Sequence, residues 1–479
     1  MAGTLRPAIR TMRTGIVLAL TLIAAGCGSR AAAPPLPDRA QARGAAALMR
    51  AGCYRCLEQA LAAARAGGDR RQAFEAAALL VLRSKELGLP HETWLAAARE
   101  RADGRDAGVL AMIEAIPPHP LSGDPDGIIN LSGRIQARTS LTEWRDTLQA
   151  GPWSDVFRAY VDVALICAFG RVVENERSFT GPLDAVAATP IYQYRLGICD
   201  SSQAARLAAF RERHPEFVDA DLALGTWAFE NPVNPDQEEG LRRLESAAAA
   251  FPDSPAVAAT VGNVYRAWEE WEPALEAYDR ALSLSPEHPE ALIGRTISLS
   301  RLSRPEEAIE TATRVIAGRR WRLGEAHYWR GWNHLVRAQY QLARDDADRA
   351  KKLMANAPVF VLSGVIEWRL GRLQTAEGDF EQALLMDLGE CEAAANLGLV
   401  RAERGAVPEA LAALTQARQC YDLSIALRQE AIEKIRSGPG TGTSKARAAA
   451  IHERWLQDFR ERRDDVLRSM DALERGHGG

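Results

Sequence analysis

The chain has 479 residues, 47% hydrophobic and 25% charged, a balance that supplies cores for two or three domains and excludes a disordered polyampholyte. Its formal net charge is −4, from 59 basic against 63 acidic residues, and no basic block interrupts the mixture, which argues against nucleic acid as a partner. Only Lys85, Lys351, Lys352, Lys434 and Lys445 are lysines, so the many arginines read as a compositional habit, not as a phosphate-binding device.

Residues 1–26 carry Arg6, Arg10 and Arg13 ahead of an apolar run over 15–23, too short to span a bilayer permanently, and read as an export signal. The run closes Ile23-Ala24-Ala25-Gly26-Cys27, which resembles the lipobox of bacterial lipoproteins, with Ala24 where leucine is usual. The resemblance implies cleavage before Cys27, lipidation of Cys27 and attachment through several acyl chains; the alternative is a plain secretory signal followed by a coincidental cysteine. Gly28 in place of aspartate implies the outer membrane, with the body facing the periplasm. Residues 27–41, rich in proline and alanine, form a semi-rigid tether.

Residues 42–216 show apolar spacing of helical period without a clean repeat, as in the segment QAFEAAALLVLRSKELGL, and predict degenerate helical hairpins. Pro117-Pro118-His119-Pro120 and the glycine- and aspartate-rich stretch 122–127 mark a loop. Cys53-Tyr54-Arg55-Cys56 is a C-x-x-C preceded by Gly52. It lacks the strand–helix alternation of a redox fold, the histidine of a haem attachment site and a second pair for zinc. A structural disulfide or two packed thiols stand against a thiol-redox or metal-binding role for Cys53 and Cys56.

From residue 217 the chain becomes periodic. Small residues recur at Gly240, Ala274, Ala308, Ala343, Ala376 and Ala410, and seven residues later at Ala247, Ala281, Val315, Ala350, Ala383 and Ala417. Gly262, Gly331, Gly364 and Gly398 keep the same step, with Thr296 in the missing place. Three registers in phase at about 34 residues are the mark of a stacked-repeat architecture. In the unit 255–288, Val261, Gly262 and Tyr265 fall on one face of a first helix, and Ala274, Tyr278 and Ala281 on one face of a second.

This pattern resembles the tetratricopeptide (TPR) repeat, whose small, aromatic and proline positions match Gly262, Ala274 and Ala281, Tyr265 and Tyr278, and Pro286. Copies start near Pro255, Pro289, Gly324, Ala357 and Cys391, with a degenerate one before them, giving an array over 217–421. The resemblance implies an all-α, right-handed solenoid of antiparallel helix hairpins. Residues 422–479, with a flexible linker at 437–444, supply C-terminal capping helices. The glycine-rich linker lacks the adjacent Gly-Lys of a phosphate loop.

In the TPR family the second, fifth, ninth, twelfth and thirteenth positions of each first helix face the concave side. Mapped here, they place Asn263, Arg266, Ile297, Arg301, Tyr328, Trp332, Val365, Trp368 and Arg369 in a partner-binding groove, although the aromatics also suit packing between neighbouring first helices. Only Asn263 matches the family's carboxylate clamp, so the expected occupant is an extended segment or helix bearing apolar and acidic groups. Cys391 and Cys420 sit at the first and thirtieth positions of one antiparallel hairpin, hence at the same end, where a disulfide is geometrically reasonable. His327 and His334 occupy packing positions, and no metal or cofactor set is expected. The chain reads as a non-enzymatic interaction scaffold or assembly factor of the bacterial cell envelope, with a protein or peptide segment as partner.

Overall fold

The computed structural model describes residues 44–117, 143–169, 188–198, 204–230, 237–318, 322–438 and 442–477. The export signal, Cys27, the tether, most of the 117–127 loop and Cys199 lie outside them. Among the described residues every regular element is helical. The chain divides into two compact units, and the division falls inside the hairpin 255–284. Its turn, 265–275, groups with residues 292 onward, and its outer parts group with residues up to 264 and with 276–291.

The N-terminal unit begins with α1 (Ala45–Ala51), α2 (Tyr54–Ala66), α3 (Arg70–Leu87), α4 (Glu92–Arg99) and α5 (Asp106–Ala115). It continues with α6 (Asp155–Phe169), α7 (Pro190–Gly197), α8 (Ala204–Arg213), α9 (Ala220–Glu230) and α10 (Gln237–Ala250). The helix α3 is buried without a break from Ala73 to Leu87, its charged last turn included. Lys85 explains part of that. Its ammonium donates to the carbonyls of Ile113, Glu114 and Ile116 at 2.7–3.0 Å, serving the acceptors that the end of α5 leaves without intrahelical partners.

The shared hairpin is α11 (Pro255–Ala267) and α12 (Trp271–Leu284). The pairs that follow are α13 (Pro289–Arg301) with α14 (Pro305–Gly318), α15 (Leu323–Val336) with α16 (Tyr340–Leu353), and α17 (Ala357–Arg369) with α18 (Leu373–Met386). The last repeat pairs α19 (Cys391–Glu403) with α20 (Val407–Ser437), and α21 (Gly442–His477) packs back on α20. Helix therefore covers 437 and 442–444, both ends of the expected linker, and leaves 439–441 outside the described residues.

The repeat spacing has a steric cause. A Cβ built on Gly364 would stand 2.6 Å from the Phe380 ring, and one on Gly262 2.7 Å from the Tyr278 ring. In these copies the eighth position is small because the twenty-fourth is large, whereas Gly331 faces Ala347 and a Cβ there would meet Asp346 at 3.2 Å and the Ala343 carbonyl at 3.3 Å. Where the eighth is Thr296, the twenty-fourth shrinks to Ala312, and both are fully buried. The turns repeat as closely. The fifteenth position is left-handed in all five copies, at Glu269 (φ 59°), Ser303 (57°), Ala338 (57°), Gly371 (75°) and Gly405 (80°). The next N–H donates five residues back at 2.8–2.9 Å, as Glu270 to Tyr265 and Gln339 to His334, the bond that closes a helix C-terminus. Helix pairing, period and turn are those of a TPR-like array.

Candidate functional site

The first helices α13, α15, α17 and α19 carry the groove positions of the C-terminal unit. Ile297 is 5% exposed, with Ile293 one turn away at 1%. An aliphatic stripe at helical spacing is withdrawn from water here, so Ile297 belongs to the core and not to a displayed surface. Tyr328, Trp332 and Val365 are half-buried against Leu335, Ala343, Ala347, Leu362 and Ile366. Trp368 packs on the core of the last two repeats, and its indole N–H donates to the Glu403 carboxylate at 2.7 Å. These side chains serve packing and surface together. Asn263, in the N-terminal unit, accepts from the Tyr278 hydroxyl at 2.7 Å. Arg266 and Arg369 are half-buried.

Arg301 is different. It is exposed at the end of α13, and its guanidinium lies 5.7 Å from the Trp271 ring centre and 5.5 Å from that of Trp329, within cation–π range of both. Trp329 meets Tyr328 edge-on at 5.3 Å. Burial pushes the Tyr328 hydroxyl up to about 12, helped by Glu392 and Glu390 and opposed by Arg301. One tyrosine thus feels charges from three repeats, while direct ring and guanidinium contacts join Arg301, Trp271, Trp329 and Tyr328. Sequence mapping missed Trp271 and Glu392, and met Trp329 only as a residue standing in a place of the family's carboxylate clamp. Glu392 holds a second position and was available to the mapping, whereas Trp271 belongs to a second helix and Trp329 lies one residue past a groove position.

The His327 imidazole N–H donates to the Asp346 carboxylate at 2.7 Å, and Arg330 donates two bonds of 2.7–2.8 Å to the same carboxylate. Burial raises the Asp346 pKa, but the bonds from His327 and Arg330 outweigh it and hold the carboxyl below the ordinary range. His334 bonds Gln339 at 2.7 Å. Among the described residues no three His, Cys, Asp or Glu side chains form a group able to hold a metal ion.

Cys391 and Cys420 are joined by a disulfide with Cα atoms 5.4 Å apart. Cys53 and Cys56 are also joined, at 4.9 Å. Cys53 precedes α2 and its sulfur accepts from the Cys56 N–H. Both are nearly buried, at 2% and 6% exposure, among Tyr194, Leu207, Phe210 and Phe217. Thiol exchange needs an in-line approach to sulfur, which this packing denies, and the bond reads as a staple.

Sequence reasoning missed a buried charge network in the N-terminal unit. Arg83, wholly buried, lies 3.8 Å over the Tyr194 ring and pairs with Glu86 and Asp219. Glu86 also accepts from the Tyr160 hydroxyl at 2.6 Å and faces Arg195 at 3.3 Å. Burial drives the Tyr160 hydroxyl well above its usual value and Tyr194 up to about 12. Two cations and two anions balance, so the network ties α3, α6 and α7 to the turn before α9 at little net charge.

No protein-family profile matches the chain, and no curated protein does. Among solved structures it is similar to YrrB, described as a TPR protein with an unusual peptide-binding site, at 22% identity over 37% of this chain and 91% of that one, TM-score 0.32. It is similar to a tetratricopeptide repeat protein from Parabacteroides merdae at 17% identity over 48% and 90%, TM-score 0.39. It is also similar to PilW, a type IV pilus biogenesis factor, at 16% identity over 46% and 92%, TM-score 0.37.

Proposed function

We propose that this chain is a non-enzymatic scaffold or assembly factor of the bacterial cell envelope. Its C-terminal unit holds a segment of another protein against Arg301, Tyr328 and Trp329. The observation that carries this reading is the exposed Arg301 guanidinium flanked by two indoles, an arrangement of the residue types that dominate binding hot spots. Arg301 supplies the charge for an acidic group, and Trp271, Trp329 and Tyr328 supply flat apolar area, so the occupant is an apolar and acidic segment. The address rests on residues 6–27 of the sequence: lipidation at Cys27 anchors the chain to the outer membrane, with its body in the periplasm.

The test is a photo-reactive benzoylphenylalanine placed at 329 in cells, with mass identification of the adduct, beside the same probe at Leu342, which is 50% exposed on a second helix. One dominant adduct at 329, reduced by Arg301→Ala and absent at 342, is expected. Equal adducts at both positions would refute the groove as the binding surface. Membrane fractionation of Cys27→Ser tests the address: the variant leaves the membrane if the lipid is its anchor.

A further inference from the structure

The helix α21 reaches two places far apart in the array. Toward its start, Arg447 binds Glu270 at 3.0 Å, and its guanidinium covers the Trp268 ring at 4.0 Å. Arg454 donates to the Trp268 carbonyl at 3.1 Å and to Glu269 at 3.3 Å, and the Trp455 indole N–H donates to Glu269 at 2.7 Å. Farther on, Arg462 binds Glu392 at 2.9 Å, and Phe459, Val466, Met470 and Leu473 pack on the core of the last repeat. Residues 447, 454, 455 and 462 repeat at seven- and eight-residue steps and share one helix face.

The two contact points lie four repeats apart in sequence yet eight residues apart on α21, about 12 Å of helix rise. A straight stack at roughly 10 Å per packed layer would part them by about 40 Å. α21 bridges the two points across less than that span. The receiving turn runs directly into Trp271, whose ring centre lies 5.7 Å from the Arg301 guanidinium, so α21 is fastened beside the patch that Arg301 builds.

The two halves of α21 are held by different forces. The later half is fastened by apolar packing. The earlier half pairs with the extension of α20 around Ile425, Ile432, Leu456 and Phe459, forming an arm that meets the array through arginines and one indole. Partly exposed ion pairs are weak and salt-sensitive, so these contacts yield before the apolar packing of the later half does. The receiving turn is built at a cost: Glu269 is left-handed (φ 59°), where the last two repeats have glycine. Glycine there would relieve the backbone but remove the carboxylate that takes Arg454 and Trp455.

We infer that the C-terminal arm is a displaceable clasp over the groove, latched by Arg447, Arg454 and Trp455 on Trp268, Glu269 and Glu270, and that its release admits the partner. This rests on the groove reading above, but the latch can be tested without a partner. The full chain is compared with Glu269→Gly and with Arg447→Ala/Arg454→Ala. Spin labels carried on unnatural residues at Glu272 and Glu453 report the gap between turn and arm, and hydroxyl-radical footprinting reports access to Tyr328, Trp329 and Trp332.

Both variants should lengthen the label distance and raise footprinting of the three aromatics, with an open population up by about tenfold for two or three lost contacts of this kind. Raising salt should do the same to the unaltered chain. Glu269→Gly should open the arm while its melt stays level or rises, so opening is separable from unfolding. Unchanged distances in both variants, or an opened arm with unchanged footprinting, would overturn the clasp. Opening and footprinting as described, with no adduct at 329 from any variant, would leave the clasp standing and refute the partner reading instead.

Discussion

Gly364→Ala isolates the steric rule that sets the repeat. The added Cβ falls 2.6 Å from one Phe380 ring carbon and 2.8 Å from two others, and Phe380 is fully buried with no flexible end to yield. Overpacking of this kind costs about 1–3 kcal/mol, against which alanine returns up to ~1 kcal/mol of helix propensity over glycine. Gly378, in the partner helix of the same hairpin, is exposed, and a Cβ added there would meet nothing within 4 Å, so Gly378→Ala should gain that propensity alone. Urea unfolding followed by far-UV circular dichroism should order the midpoints Gly378→Ala, wild type, Gly364→Ala. Adding Phe380→Leu to Gly364→Ala should show coupling of about 1 kcal/mol in a double-mutant cycle, because the two side chains compete for one space. If Gly364→Ala stabilised the protein as much as Gly378→Ala, close approach would not be what keeps the eighth position small.

Replacing Cys391 and Cys420 with alanine should destabilise the last repeat by about 3.5 kcal/mol, the chain-entropy value for a loop of this length, read as loss of hydrogen-exchange protection in α19. Asp346, whose folded pKa is depressed, contributes stability that is present above its unfolded pKa and lost as pH falls through the lower folded value. Asp346→Asn should therefore lower the melting temperature at pH 7 and flatten the acid limb. Asp379 is shifted upward, with burial outweighing its bonds to Ser363 and Lys351, so Asp379→Asn should cost less at pH 7 than Asp346→Asn in the same melts. Trp332→Ala should lower the melting temperature, since the ring packs on the core of its repeat, whereas Arg301→Ala should leave it unchanged and weaken crosslinking at 329; an early melt for Arg301→Ala would make that arginine structural.

The repeat was legible in the sequence because close helix approach demands small residues at fixed steps, and a steric demand leaves a mark in composition. The groove was less so. Position numbers give the direction of a side chain but not what covers it, so Ile297 was mapped to a surface that it does not reach. Trp329 fills a place of the family's carboxylate clamp, but its role depends on Arg301 from the preceding repeat. The pairing of His327 with Asp346 joins two helices and has no fixed spacing to betray it. In α3, Arg83, Lys85 and Glu86 are charged residues near the helix end, yet all are buried, and their partners on α5, α6 and α7 come from segments with no period to place them.

The arm also sets an order of events. Neighbouring helices of the array meet over short stretches of chain, so each repeat can form as soon as its own helices exist and then add to the stack. The bonds from Arg454 and Trp455 to the 268–270 turn close over 185 and 186 residues, the kind of distant pairing that forms late in folding. During synthesis and after any global unfolding, the groove is therefore complete before the arm can reach it, and a segment that arrives in that interval meets an open surface. On the clasp reading, a partner segment present in that interval would bind without first displacing the arm.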